Sequence, residues 1–194
     1  MSVWLVVGLG NPGPTYAGHR HNIGFRVVEE LAGRTNTHFS APRGMRAEVG
    51  EARLGPPGLD SVRLVLVKSR TFMNETGAAV SKLLGYFSLE SSQLVAIHDE
   101  LDIEPGQIRV KLGGGDNGHN GLRSIRQSLG HGNFYRVRVG VGRPPGRQDP
   151  ADFLLSNFPA SARDAVAVEI DRAADAVESL VTVGLERTQN AFNS

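Results

Sequence analysis

Four short stretches of this 194-residue chain carry the side chains that could do chemistry: Asn11 to Asn22, Thr71 to Asn74, His98 to Asp102, and Asp116 to Asn120. Together they hold asparagines, histidines and carboxylates. The chain has no cysteine, which excludes disulfides, thiolate catalysis and cysteine zinc sites, and no serine stands in a G-x-S-x-G turn. The set suits hydrolysis by an activated water. A neutral histidine takes a proton from water, and a carboxylate fixes its tautomer and stabilises the imidazolium. Asparagine carboxamides hold carbonyls or donate to a developing oxyanion. Residue types alone leave the base open among His21, His19, His98 and His119. His98 and Asp99 are neighbours in an extended segment, where successive side chains point to opposite faces, so they make a poor pair. His38 and His131 read as structural. A metal centre is a second reading, with His19, His21, Asp99 and His119 as ligands of a divalent ion.

These stretches act together only if the elements between them bring them to one edge of a sheet. Val3 to Val7 reads as a buried strand running into a glycine-rich turn. Gly8, Gly10 and Gly13 spell G-x-G-x-x-G, the dinucleotide fingerprint. We read it otherwise, because Asn11-Pro12-Gly13 is turn chemistry and the helical pattern starts only near Ile23. No acidic residue closes a second strand about 20 residues on. A helix follows over 22–34, then a hairpin of strands over 47–54 and 62–68 around Gly55-Pro56-Pro57-Gly58. Thr71 or Asn74 is a candidate N-cap for a helix ending near Phe87, with Phe72 and Met73 as core by default. A short strand, 94–97, ends in His98 and the carboxylates Asp99, Glu100 and Asp102, which could bind a metal, orient a histidine or cap the next turn.

A strand over 107–112 has Ile108, Val110 and Leu112 on one face and Arg109 and Lys111 on the other. The strand over 135–142 repeats the device with Arg136 and Arg138. Like charges side by side repel, so these pairs are either solvated or an anion site, with phosphate the natural anion. Between the two strands lie a glycine-rich loop and a helix over 122–129. The chain closes with an amphipathic helix over 162–183, whose acidic residues lie mostly off the apolar stripe, and a tail, 186–194, expected to be loose. The element order predicts an α/β fold: a single domain spanning 1–194, with a mixed, mostly parallel twisted sheet flanked by helices.

Composition (40 % apolar, 21 % charged) is that of an ordinary globular domain. The net charge of +1 gives no global sign of a nucleic-acid partner, so any such signal is local. No apolar run approaches membrane-spanning length and no basic leader opens the chain, so a cytoplasmic protein without a membrane partner is expected. Nothing suggests an obligate interface, and a monomer is expected.

Six motifs then carry a resemblance: Gly8-Leu9-Gly10-Asn11-Pro12-Gly13 with Tyr16 and Arg20-His21-Asn22; Thr71-Phe72-Met73-Asn74; His98-Asp99-Glu100-Leu101-Asp102; Lys111-Leu112-Gly113-Gly114-Gly115; Gly118-His119-Asn120-Gly121-Leu122; and Phe134 to Gly142. In these, and in their order from about Trp4 to Phe158, the chain resembles the bacterial-type peptidyl-tRNA hydrolases. The resemblance implies cleavage of the ester between a peptide and tRNA, recycling tRNA from aborted translation without metal or cofactor. It implies His21 as general base, Asp99 as the carboxylate that keeps it basic, and Asn11 as the residue that tells N-blocked from free aminoacyl groups. It places Asn74 and Asn120 at the peptide backbone and reacting end, Tyr16 and Phe72 against substrate, and Lys111 and Arg138 at tRNA phosphate. One departure is visible: His19 stands where the family usually has threonine. An imidazole there, facing the same pocket, would lower the base's pKa by like-charge repulsion. Family-like folds also occur in non-catalytic RNA-binding proteins of chloroplast intron splicing, which keeps a binding-only reading in view.

Overall fold

The computed structural model describes residues 1–193; Ser194, the last residue of the tail expected to be loose, lies outside the described residues. β1 (Ser2–Gly8) leads through the Asn11–His19 loop into a 3-10 turn (Arg20–Asn22) and α1 (Ile23–Arg34). β2 (Ala47–Leu54) and β3 (Val62–Ser69) form the expected hairpin, and α2 (Thr76–Tyr86) follows. β4 (Leu94–Glu100), β5 (Ile108–Leu112), α3 (Asn120–Leu129), β6 (Tyr135–Gly140), α4 (Pro150–Leu154), α5 (Arg163–Val183) and α6 (Leu185–Phe192) complete the chain.

The strands form one sheet in the order β2-β3-β1-β4-β6-β5. β1 pairs in parallel with β3 and β4, and β4 with β6, while β2 and β5 lie antiparallel at the two borders. The result is a single α/β domain with a mixed, mostly parallel sheet. α1 and α5 cover one face, burying Val28, Leu31, Ile170 and Val177 against Leu66, Ile97 and Val139. α2 and α3 cover the other, with Leu83, Leu84 and Ile125 against Leu5, Val67 and Ala96. The apolar alternation of each strand thus serves two cores, which is why the central strands read as continuous apolar runs.

The glycine fingerprint has a packing cause. A Cβ on Gly8 would sit 2.2 Å from the Gly24 carbonyl oxygen, and one on Gly24 would sit 2.3 Å from that of Ile97. Backbone-to-backbone contact is therefore required where α1 crosses the ends of β1 and β4. This seats the turn Arg20–Asn22 against the end of β4.

Several expectations are corrected. β4 does not stop at Ile97; it carries His98, Asp99 and Glu100 as paired strand residues beside Arg138, Val139 and Gly140 of β6. Neither Thr71 nor Asn74 caps α2: the Thr71 hydroxyl pairs with Ser69 Oγ (2.6 Å), and the helix starts only at Thr76. Met73 is core, but Phe72 is 52 % exposed. Leu112 is half exposed rather than on the buried face of β5. α4 is an added helix, signalled by Asp149-Pro150: the Asp149 side chain accepts from Ala151 N–H, and proline takes the first turn. Glu169 is the acidic residue of α5 that is buried, its carboxylate accepting the Gly106 N–H. The tail is not loose over its described part. α6 lies along β5, where Asn193 Oδ1 accepts from Val110 N–H (2.7 Å) and Asn193 Nδ2 and Gln189 Nε2 donate to Val110 O (2.9 and 3.1 Å).

Candidate active site

All four polar stretches meet at the carboxyl ends of β1 and β4, around a cavity of about 620 Å³. Asn11, Tyr16 and His21 line it from the first, Phe72 and Asn74 from the second, Asp99 from the third, and His119 and Asn120 from the fourth. Pro150, Leu154 and Leu155, from α4 and the residue after it, add an apolar wall.

Asp99 is its buried centre. Its Oδ2 accepts the His21 Nδ1–H (2.7 Å) and its Oδ1 the His119 Nε2–H (2.8 Å). Burial alone would raise this carboxyl, but the two imidazoles hold it far below the usual carboxylate range, so it is ionised. His119 is also the N-cap of α3, its Nδ1 accepting from Gly121 N–H (3.1 Å) and Leu122 N–H (3.3 Å). Both its ring nitrogens are thereby engaged, and its proton sits on Nε2. His21 is different. Nδ1 is held by Asp99, while Nε2 has no hydrogen bond among the described residues and the ring borders the cavity. Burial pulls the His21 pKa down; the Asp99 charge and hydrogen bond raise it by more, and the net position lies above the ordinary 6.5.

The other candidate bases fall away on geometry. His98 is fully buried, donates from Nδ1 to the Asp99 carbonyl (2.8 Å), and is pushed down to about 3 by burial and then by His119. His19 pairs through its backbone with Asn157, its ring packs edge-on against Tyr16 (5.5 Å between centroids), and it does not line the cavity. The condition for repulsion between His19 and His21, two imidazoles facing one pocket, is not met. His38 and His131 also lie off the cavity. Arg20 fixes the turn that carries His21: its guanidinium donates to Ser156 Oγ (2.7 Å) and Asn157 O (2.9 Å) and stacks 3.9 Å over Phe153.

Asn11 is oriented by its surroundings. Asn22 clamps its backbone, accepting from Asn11 N–H and donating to Asn11 O (both 2.9 Å). Asn11 Oδ1 accepts from Met73 N–H (2.7 Å), so the group it turns to the cavity is the NH₂, a donor. The carboxamides of Asn74 and Asn120 are exposed to the cavity and bond to no other described residue. Phe72 and Tyr16 meet edge-on at the rim (5.9 Å).

Sequence reasoning missed a strap across the rim. Asn117 Nδ2 donates to Asp102 Oδ2 (2.7 Å) and to both oxygens of Glu100 (3.2 Å), and Arg143 Nε donates to Asp102 Oδ1 (2.7 Å). Glu100 and Asp102 thus tie the loop before α3 to the end of β4, and neither bonds to a histidine among the described residues. Asn117 holds a positive φ of 47°, where asparagine is among the tolerated residues, and the Asn117-Gly118 dipeptide is the one local sign of this turn in the sequence.

The cation pairs of β5 and β6 divide. Arg136 is fully buried and donates to the carbonyls of Gly114 (2.7 Å), Gly115 and Gly132 (3.1 Å), fastening the glycine-rich loop, so it is neither solvated nor an anion ligand. Arg109, Lys111 and Arg138 remain, partly exposed on one face; Arg109 donates to Gln107 Oε1 (3.4 Å), and Lys111 and Arg138 lie diagonal to each other across the ladder. Neither has a carboxylate within 4 Å among the described residues. Burial lowers both pKa values, and for Lys111 the neighbouring Arg138 and Arg136 lower it further, the signature of crowded positive charge.

The family model described as "Peptidyl-tRNA hydrolase" matches residues 5–194. Curated proteins of that name are 53 % identical in Mycolicibacterium smegmatis and 52 % identical in Cutibacterium acnes, each alignment covering 98 % of this chain and 97 % and 98 % of those proteins. The crystal structure of peptidyl-tRNA hydrolase from Acinetobacter baumannii superposes with a TM-score of 0.85 at 34 % identity, over 99 % of this chain and 95 % of that one.

Proposed function

The chain belongs to the peptidyl-tRNA hydrolase family, and from that premise we propose how its own residues hydrolyse the ester joining a peptide to tRNA. Water is held at His21 Nε2, which removes its proton as the oxygen attacks the ester carbonyl carbon. Asp99 keeps the His21 proton on Nδ1, so that Nε2 is the acceptor, and stabilises the imidazolium that forms. The oxyanion of the tetrahedral intermediate takes hydrogen bonds from the carboxamides of Asn120 and Asn74. The imidazolium then returns the proton to the departing ribose oxygen. Hydroxide has gone to the acyl group and a proton to tRNA, and His21 is neutral again.

Asn11 supplies the selection. Its NH₂ can donate to the carbonyl of an N-acyl group; it cannot accept a hydrogen bond from a free α-ammonium, so an unblocked aminoacyl-tRNA leaves donor facing donor. Tyr16 and Phe72 flank the substrate at the rim. Lys111 and Arg138 hold tRNA phosphate beside the end of β4, and peptidyl-tRNA is the partner. The observation that carries this reading is Asp99 bound to two imidazoles, of which only His21 keeps a nitrogen for the cavity.

One observation favours a metal centre: one ligand atom each of His21, Asp99 and His119 lies within 4.8 Å of the others. His19, counted as a ligand in that reading, is outside the group. The 2.7 and 2.8 Å separations are those of N–H donors to carboxylate oxygens, and His119 must keep its Nε2 proton to cap α3 through Nδ1. The chemistry of the set therefore fits protons better than an ion. Hydrolysis of N-acetyl-aminoacyl-tRNA beside unblocked aminoacyl-tRNA, both in EDTA, tests reaction and metal together. The expected result is cleavage of the blocked substrate alone. Activity that vanishes in EDTA and returns with a divalent ion would establish the metal centre. Binding of RNA without turnover under any condition would establish a binding protein.

Lys111→Ala and Arg138→Ala are each expected to raise KM with little change in kcat, and to reduce the slope of log affinity against log salt by about 1. An unchanged slope in both variants removes them from the phosphate contacts.

A further inference from the structure

A second cavity, of about 420 Å³, adjoins the first, and the Asn74 side chain lines both. Its walls include Arg46, from the loop before β2, and Glu75 and Lys82, from α2 and the turn before it; Ser124, Gln127 and Ser128 of α3 close it. Arg46 is exposed and makes no ion pair or hydrogen bond through its side chain among the described residues. Lys82 Nζ donates to Gly44 O (2.6 Å), leaving two of its three hydrogens unused. Ser124 Oγ accepts from Gly77 N–H (2.8 Å), which leaves its O–H to donate. Two cations face one carboxylate, over a floor of hydroxyls and a carboxamide.

Place in the fold says what enters. The ester sits at the ends of β1 and β4, in the middle of the sheet. Lys111 and Arg138 lie on β5 and β6, toward one border; Arg46 and Thr71, which also lines this cavity, adjoin β2 and β3, toward the other. An ester has two arms. If tRNA approaches over β5 and β6, the peptide leaves over β3. Asn11 points the same way: the group that meets the N-acyl carbonyl is tied to Met73 N–H, and Met73, Asn74 and Glu75 form the turn that leads from the first cavity into the second. We propose that the second cavity is a subsite for peptide residues upstream of the esterified one, and that Arg46 and Lys82 make it prefer acidic side chains there.

The subsite presupposes ester hydrolysis at His21, and the test separates the two. One tRNA is charged with N-acetylated tetrapeptides that share the esterified residue and carry Asp/Glu, Ala/Ser or Lys upstream; N-acetyl-aminoacyl-tRNA, too short to reach the cavity, runs beside them. The wild-type enzyme is expected to show kcat/KM about three- to tenfold higher for the acidic than for the lysine peptide, in line with partly exposed ion pairs. In Arg46→Ala and in Arg46→Ala with Lys82→Met the ratio falls toward one. A ratio between substrates of one preparation is insensitive to the amount of folded enzyme, and Arg46→Ala alone serves if the Lys82 variant fails to fold. Equal rates for all three peptides, with N-acetyl-aminoacyl-tRNA cleaved normally, overturn the subsite and leave the reaction standing. No cleavage of N-acetyl-aminoacyl-tRNA overturns both. Weaker binding of deacylated tRNA to Arg46→Ala, with a flatter salt slope, puts RNA in the cavity and also overturns the proposal.

Discussion

His21→Ala is expected to lower kcat/KM on N-acetyl-aminoacyl-tRNA by about 10²- to 10⁴-fold, the range for losing a positioned general base, with its circular dichroism unchanged. The fold survives because Asp99 keeps its bond to His119, and the vacated space opens to the cavity. The wild-type pH profile gives an independent check. His21 works only when neutral, and its pKa is raised above 6.5, so activity rises with pH and reaches half its plateau above 6.5. Stability runs the other way. A histidine with a raised pKa contributes stability that is fully present below the unfolded value of 6.5 and is lost as pH rises through the folded value. The enzyme therefore gains its base in the same window in which it gives up the charged His21–Asp99 pair. Thermal melts and rates across that window measure both. An alanine variant retaining a tenth or more of wild-type kcat/KM would mean that another group is the base.

Asp99→Asn is expected to cost as much in kcat, for a reason in the tautomers. His119 must keep its proton on Nε2, because its Nδ1 caps α3, so it takes the single oxygen of the new carboxamide. The NH₂ is then turned to His21 Nδ1, which must accept, and the His21 proton moves to Nε2. The nitrogen facing the cavity becomes a donor and cannot take a proton from water. We expect kcat to fall by about 10²- to 10⁴-fold with KM little changed. Any residual activity should titrate below 6.5, since burial, which lowers the His21 pKa, remains while the charge that raised it has gone. A variant with unshifted pH dependence and near wild-type kcat would exclude Asp99 from the site.

Much of this arrangement is legible in the sequence, and what is not has physical causes. The hairpin of β2 and β3, the face-by-face alternation of β5 and β6, and the long stripe of α5 follow from periodicity, a local property. That three of the polar stretches converge follows from the parallel strands β1, β3 and β4 ending at one edge of the sheet; the fourth follows β5, which runs antiparallel and ends beside Tyr135 at the other edge, and the glycine-rich loop carries it back to the cavity. The partners of Asp99 do not follow from local pattern, because His21 and His119 lie 78 and 20 residues away; the family resemblance singles out His21, and residue types alone cannot, since the choice among four histidines rests on which nitrogens are already engaged. Arg136 looked like Arg138 because alternation gives a residue's face but not what covers that face; the carbonyls of the glycine-rich loop that bury it come from 21 and 22 residues upstream. The last three residues of β4 are not legible as strand because polar side chains usually mark a strand's end, and here they are paired with β6 and Asp99 among them lines the cavity.

The C-terminal helix bears on a different matter, how the sheet is kept from growing. β5 is a border strand, and the outward N–H and C=O of such a strand invite a strand of another molecule to continue the ladder. At Val110 the Asn193 carboxamide presents an acceptor and a donor in the places where a neighbouring peptide group would. At the opposite border Ser40 makes a single reciprocal bridge to Val49 of β2, its N–H and carbonyl paired with theirs (2.9 and 2.7 Å). Each flank is thus closed at one point by a piece of the same chain, a guard against edge-to-edge aggregation that leaves the cavity at the ends of the strands unobstructed.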